Sequence, residues 1–186
     1  MRAPDGGLVV DLDPFPMRQT LIPSSPVSAA RFRRTLGQFA TGVTVVTTLN
    51  PSGRPEGMTV NAFASLSLKP PMILVCLART IRLMPIFDRA DHFAVNVLAA
   101  NQRHLSDIFS RLKGDRFRGV AWTTWTSGVP ILAGCVANLE CTRVANHEGG
   151  DHVVLIGQVE RLARDDTHAP LLFVRGGYRK VGKEVP

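Results

Sequence analysis

GMTVNAFASLSLKPPMILVCLA, residues 57–78, decides what kind of fold this chain forms. Thr59, Asn61, Ser65 and Ser67 fall on odd positions, while Val60, Ala62, Ala64, Leu66 and Leu68 fall on even ones. A period of two is the mark of a strand with one polar and one apolar side. Pro70 and Pro71 then impose an extended entry into the next segment. MILVCLA is apolar throughout, as a strand buried on both faces is. The polar row has two readings: a face turned to solvent, or a row that hydrogen-bonds a ligand, since buried polar groups are normally paired.

Working outward, the same grammar recurs. SAARFRRTLGQFA (28–40) places Phe32, Leu36 and Phe39 on one helical face with Ser28 as N-cap. VTVVTTL (43–49) is a β-branched strand, and NPSGRPEG (50–57) a turn-rich loop. TIRLMPIFDRAD (80–91) reads as a short helix that tolerates Pro85 only in its first turn. HFAVNVLA (92–99) is a buried strand. NQRHLSDIFSRL (101–112) is a helix with Leu105, Ile108, Phe109 and Leu112 inward. The final third alternates strand and turn: AWTTW, CVANLECTRVA, HVVLIGQVERLA and PLLFV. Many short strands with few helices predict a mostly β fold, an antiparallel barrel or sandwich. No GxGxxG follows a strand, so any dinucleotide is held without the Rossmann device.

Residues 1–27 hold five of the thirteen prolines and no periodicity, so they are expected to form a flexible arm before a single domain over 28–180, with a short tail at 181–186. No apolar run approaches the ~20 residues of a membrane span. The N-terminal stretch carries acids and prolines where a secretory signal needs an apolar core, which points to the cytoplasm. Cys76, Cys135 and Cys141 lack metal-binding spacing and read as buried thiols. The net charge of +7 favours an anionic partner such as a nucleotide or phosphorylated cofactor. The basic residues are scattered, and no zinc-finger or RNA-binding pattern accompanies them, so nucleic acid is not expected.

HEGGDH (147–152) sits between two strand-like runs. Gly149 and Gly150 suit a tight hairpin. A turn does not require the second histidine, His152, where the chain re-enters a strand. His147 and His152 lack a third ligand at useful spacing, so no metal is expected. His92, His104 and His168 read as surface residues, Trp122 and Trp125 as packing, and Asn96 as a structural hydrogen-bonder.

FRRTLGQFATGVTVVTT, GMTVNAFASLSLKPPMILVCL, FAVNVL and HEGGDHVVLIGQVE, in this order and spacing over residues 29–180, resemble the flavin reductase family, the small reductase components of two-component flavin-dependent monooxygenases. The resemblance implies an antiparallel split β-barrel of Greek-key type. It implies a homodimer that binds FMN or FAD, reduces it with NADH or NADPH, and releases reduced flavin to a partner oxygenase. Position by position, it assigns flavin contacts to Pro55, Glu56, Gly57, Met58, Thr59, Asn61 and Ala62, and to Cys76, Leu77 and Ala78. Arg82 and Leu83 match the helix start that holds phosphate, and Ile108 and Phe109 a second flavin contact. Gly150, Asp151 and His152 match the nicotinamide element, with His152 the residue that positions the hydride donor. Two departures stand out. Family members often carry serine where Ala62 stands, and RTIRLMP (79–85) replaces a Ser/Thr-rich helix start. Flavin and nicotinamide carry the hydride chemistry themselves, which fits a site with few ionisable side chains. Two other classes stay open at this level: a flavoprotein that keeps its flavin and reduces a different acceptor, and a non-catalytic flavin-binding barrel.

Overall fold

The structure, a computed structural model, describes residues 26–182. Most of the arm expected over 1–27 and of the tail expected over 181–186 therefore lies outside the described residues.

α1 (Ala29–Leu36) starts at Ser28, whose hydroxyl accepts from the Arg31 N–H at 3.4 Å, and ends where the Gly37 N–H bonds the Arg33 carbonyl at 2.8 Å. Then follow β1 (Thr41–Gly42), β2 (Thr44–Leu49), β3 (Pro55–Val60), β4 (Phe63–Leu68), β5 (Pro71–Ala78), α2 (Met84–Phe87), β6 (His92–Val97) and α3 (Arg103–Arg111). The chain continues through β7 (Trp122–Thr124), β8 (Pro130–Leu132), β9 (Ala137–Gly149), β10 (His152–Arg164), β11 (Leu172–Val174) and β12 (Gly177–Arg179).

Seven strands form one sheet in the order β3-β2-β6-β9-β10-β5-β4, every pair antiparallel. The edge strands β3 and β4 are consecutive in the chain, joined only by Asn61 and Ala62. The sheet therefore curls until its two edges meet at that corner, yet β3 and β4 do not pair. This is a barrel with a seam, the split barrel expected. A small sheet, β1-β11-β12, and a hairpin, β7-β8, flank it.

β2 is buried on both sides and divides two cores. Val46 packs with Val75, Leu77, Phe87, Phe93 and Leu155, whereas Val45 packs with Leu98, Leu105, Phe109 and Phe117. Asn96, fully buried, donates to the Val45 carbonyl (3.0 Å) and Thr47 Oγ1 (3.1 Å), and accepts from the Leu132 N–H (2.9 Å) and Asn138 Nδ2 (2.8 Å). Its amide is satisfied on both ends, so it is the structural hydrogen-bonder expected.

Four expectations need correction. GMTVNAFASLSL is not one strand: it breaks at Asn61–Ala62, and its polar row is divided between two edges. The apolar side of β4 is not buried; Leu66 is exposed and Leu68 is 88% exposed, with a bulge between Ser65 and Ser67. β5 is buried on one face only, through Ile73, Val75 and Leu77, because β4 and β10 cover it edge to edge and leave Leu74 and Cys76 facing outward. Leu112 lies beyond α3 and is exposed, as are Phe32 and Leu36 on the apolar side of α1 and Phe39 beyond its end.

Candidate active site at the barrel seam

The corner at Asn61–Ala62 opens onto a groove of about 730 Å³. Its floor comes from Asn61, Ala62 and Cys76, its walls from Phe32 and Leu36 of α1 and from Phe173 of β11. The Ala62 carbonyl accepts from the Cys76 N–H at 2.9 Å, which ties the corner to β5 and holds the groove floor. The Asn61 side chain is exposed; its Nδ2 reaches Thr41 Oγ1 only at 3.4 Å. Apolar walls around one exposed carboxamide suit a flat heteroaromatic ring with a polar edge.

A second cavity, about 560 Å³, shares Asn61, Phe173 and Gly176 with the groove. Thr59 donates its hydroxyl to the Ser106 carbonyl at 2.8 Å, and Ser106 Oγ lies 2.9 Å from the Tyr178 hydroxyl. The Arg103 guanidinium covers the Tyr178 ring at 5.0 Å from its centroid. Arg111 and Arg179 complete the lining.

The β9–β10 hairpin ends near the same side of β5, since His152 pairs with Ala78 in register. Gly150 alone takes positive φ (+69°), with Asp151 beside it in ordinary backbone, the pattern of a turn needing glycine only at its first central position. Gly149 is still strand and pairs with His152, so the sequence expectation of two permissive glycines is half right. Asp151 Oδ1 accepts from His152 Nδ1 at 2.7 Å, rather than capping backbone amides as short acids in turns often do. That hydrogen bond, with the charge of His152, holds the Asp151 carboxyl below its usual range; Arg33, on the groove wall, adds a smaller push the same way. Arg79, just past β5, anchors the turn: its N–H bonds the Asp151 carbonyl at 2.9 Å, its Nε bonds the Gly150 carbonyl at 3.3 Å, and its guanidinium pairs with Glu148. The His152 side chain is 42% exposed.

The structure brings some of the expected site residues together and separates others. Thr59, Asn61, Ala62 and Cys76 line the two joined cavities. Ala78 lies at the hairpin base, next to Gly150, Asp151 and His152. Pro55 and Glu56 face a different cavity, with Arg116 and Phe117. Gly57 is buried, since a Cβ there would stand 3.0 Å from the Phe109 ring and 3.1 Å from Thr47. Met58 and Ile108 pack against the two cores; Leu77, Leu83 and Phe109 lie within them. Those three side chains are packed inward: strand periodicity turns Leu77 in, helix periodicity turns Phe109 in, and Leu83 is buried at the N-cap of α2. Arg82 is exposed and outside the lining of the groove and second cavity. Its charge, after burial itself, depresses the Arg116 pKa, and Arg116 donates to the Gly57 carbonyl at 2.8 Å.

Sequence reasoning missed Ser106, Arg103 and Tyr178. Their only signal was membership of an amphipathic helix and of a basic cluster near the C-terminus. His92 is half-buried, against expectation, with Nδ1 3.3 Å from Thr142 Oγ1. Among the described residues no group of three or more His, Cys, Asp or Glu is placed to hold a metal, and no helix is long and apolar enough to cross a membrane.

Comparison with known proteins agrees with this arrangement. Residues 36–182 match the flavin reductase like domain. The chain is 42% identical over 95% of its length to the FMN reductase (NADH) SmoA of Agrobacterium fabrum, of which it covers 99%. It is 40% identical over 89% of its length to the flavin-dependent monooxygenase reductase subunit HsaB of Rhodococcus jostii, covering 85% of it. Among solved structures, the Streptomyces globisporus NADH:FAD oxidoreductase SgcE6, in complex with NAD and FAD fragments, superposes with a TM-score of 0.80 at 36% identity, over 84% of this chain and 94% of that one. The seam, the hairpin and most of the groove's lining lie in the matched region, and the chain belongs to the flavin reductase family.

Proposed function

We propose that this flavin reductase moves a hydride from C4 of NADH to N5 of FMN in the groove at the seam, and hands the reduced flavin to a separate oxygenase. The balance is NADH, FMN and one proton giving NAD⁺ and FMNH₂. The single observation that carries the reading is the meeting of an apolar, ring-sized groove with an exposed Asn61 and a histidine-bearing turn on adjoining strands. NADH and FMN are favoured because SmoA, matched along nearly the whole chain, is named for both. An oxygenase partner is favoured because HsaB is named as a reductase subunit of a flavin-dependent monooxygenase.

Each residue has a limited task. Phe32, Leu36 and Phe173 shield the ring from water. Asn61 and the unpaired edge of β3 offer donors to its polar rim, where negative charge develops as the hydride arrives. His152, oriented by Asp151, contacts the nicotinamide nucleotide and fixes its C4 over the ring. The protein supplies no nucleophile, because the two substrates exchange the hydride directly.

A second copy of the chain belongs to this reading. Phe32, Leu36 and Phe39 are 58%, 51% and 73% exposed around the groove, and another copy would cover them. Cytoplasmic residence does too, since three unpaired thiols fit a reducing compartment.

The test is steady-state kinetics with NADH and FMN. His152→Ala should lower kcat/KM for NADH by about 10-fold or more, the scale of lost orientation, and leave FMN affinity in place. Asn61→Leu should weaken FMN by about 1–3 kcal/mol. Wild-type constants in both variants, or no NADH oxidation dependent on added FMN in the wild type, would sink the proposal.

A further inference from the structure

The turn at 148–151 has little of its own to hold it. Residues 147–151 are exposed, and a Cβ at Gly150 would stand in open space, so nothing packs against the chain there. Segments with few packed contacts are the ones that open most readily. Yet this turn leads into His152, whose ring has to keep one pose to be of use to a nucleotide. Among the described residues, one side chain from outside the hairpin hydrogen-bonds or ion-pairs with residues 147–152. It is Arg79, the first residue past β5.

Arg79 grips the turn at three points. Its Nε donates to the Gly150 carbonyl at 3.3 Å, its backbone N–H donates to the Asp151 carbonyl at 2.9 Å, and its guanidinium pairs with Glu148. Glu148 is 83% exposed, so the ion pair by itself contributes little. The bond to the Gly150 carbonyl is charge-assisted and restrains the backbone directly. Holding Asp151 also holds the histidine, because Asp151 Oδ1 accepts from His152 Nδ1 at 2.7 Å and leaves Nε2 as the free ring nitrogen. Arg79 itself lines neither the groove nor the cavity joined to it, so its reach ends at the turn.

We infer that Arg79 is a positioning residue for the hydride donor: it clamps the 148–151 turn and, through Asp151, sets the His152 ring in the pose that meets the nicotinamide nucleotide. The inference rests on the reading that His152 contacts that nucleotide. It assigns the Arg79 guanidinium to the NADH side of the reaction, acting through the hairpin and not by touching either substrate.

The experiment is a double-mutant cycle read in two ways: kcat/KM for NADH at saturating FMN, and FMN affinity by fluorescence titration. The proteins are the wild type, Arg79→Met, Arg79→Lys, His152→Ala and the double variant Arg79→Met with His152→Ala. Arg89→Gln is the control that removes the same charge from an exposed site elsewhere. Methionine removes the guanidinium and keeps the backbone bond to Asp151. Arg79→Met should lower kcat/KM for NADH by about 10-fold, chiefly through KM, as lost orientation does. FMN affinity and the melting temperature should stay at their wild-type values, which a merely structural role would not leave in place. Arg79→Lys should recover part of the loss, and Arg89→Gln should match the wild type. In the His152→Ala background, Arg79→Met should change kcat/KM by less than about 2-fold, because two residues acting through one contact are not additive. Wild-type kcat/KM in Arg79→Met would overturn the inference. So would a matching loss of FMN affinity, by placing the guanidinium at the flavin, and so would full additivity in the double variant, by placing it on the nucleotide itself. A loss in His152→Ala without one in Arg79→Met ends the inference alone, whereas a silent His152→Ala ends the reading on which it rests.

Discussion

Gly157 shows how a single residue is dictated by its surroundings. It lies at a bulge in β10, and a Cβ there would collide with the Phe93 ring and sit 3.0 Å from the Cys141 Cβ. Gly157→Ala should therefore cost about 1–3 kcal/mol, the usual penalty for overpacking, and lower the melting temperature. An unchanged melt would show that Phe93 swings aside. The cysteines separate by the same logic. Burial pushes the Cys135 and Cys141 thiols up to about 12 from 9.0, so the folded state keeps both protons. Their contribution is whole below pH 9 and shrinks as pH rises towards 12, which denaturant titrations across that range would record. Cys76 is different, half-buried on the groove floor. A thiol reagent should modify one cysteine readily in the native protein, and FMN should slow it. Equal reactivity of all three would contradict the placement. That distinction was invisible in MILVCLA, because a strand whose every residue is apolar carries no alternation to say which side faces in.

At the level of elements, the hairpin at 147–152 was legible and the corner at Asn61–Ala62 was not. Glycines and a short acid between two apolar runs announce a turn. The corner has neither glycine nor proline, and the period of two runs straight through it. Only the pairing of β3 with β2 and of β4 with β5 reveals it. The two hairpin glycines should now behave differently. Gly150→Ala forces a side chain into left-handed backbone and should cost about 1–2 kcal/mol, with a raised KM for NADH because His152 shifts. Gly149→Ala meets only ordinary contacts, the nearest at 3.4 Å, and should resemble the wild type. If both are silent in melts and kinetics, the turn does not set His152. α1 makes a second case. Its apolar face was read correctly from spacing, but spacing says nothing about what covers a face. Phe32→Glu with Phe39→Glu should leave the fold intact, since neither residue is in the core, and shift the mass seen by light scattering from that of the proposed dimer to that of a monomer. An unchanged mass would remove α1 from the interface.

Over the whole molecule, fold class followed from many short strands with turn signals between them, and the order of four motifs carried the family. The candidate site came through only in part, because it draws on β3, β5 and the hairpin, which meet through the sheet order β3-β2-β6-β9-β10-β5-β4, and on α3 and the separate sheet β1-β11-β12, rather than on neighbours in the chain. The charge of +7 acts at this scale as well, drawing anionic nucleotides towards the protein. It should not retain DNA at ~150 mM salt, where purely electrostatic binding has weakened steeply. The seam has a consequence in time. A barrel closed all round must breathe to admit or release anything at its wall; one left unzipped beside its floor needs no such motion. Reduced flavin reacts with oxygen when stranded, so a carrier that lets go quickly serves its recipient better than one that grips. If the two unpaired strand edges set the dwell time of the product, hydrogen exchange along β3 and β4 should slow on flavin saturation and recover as soon as the flavin is diluted away.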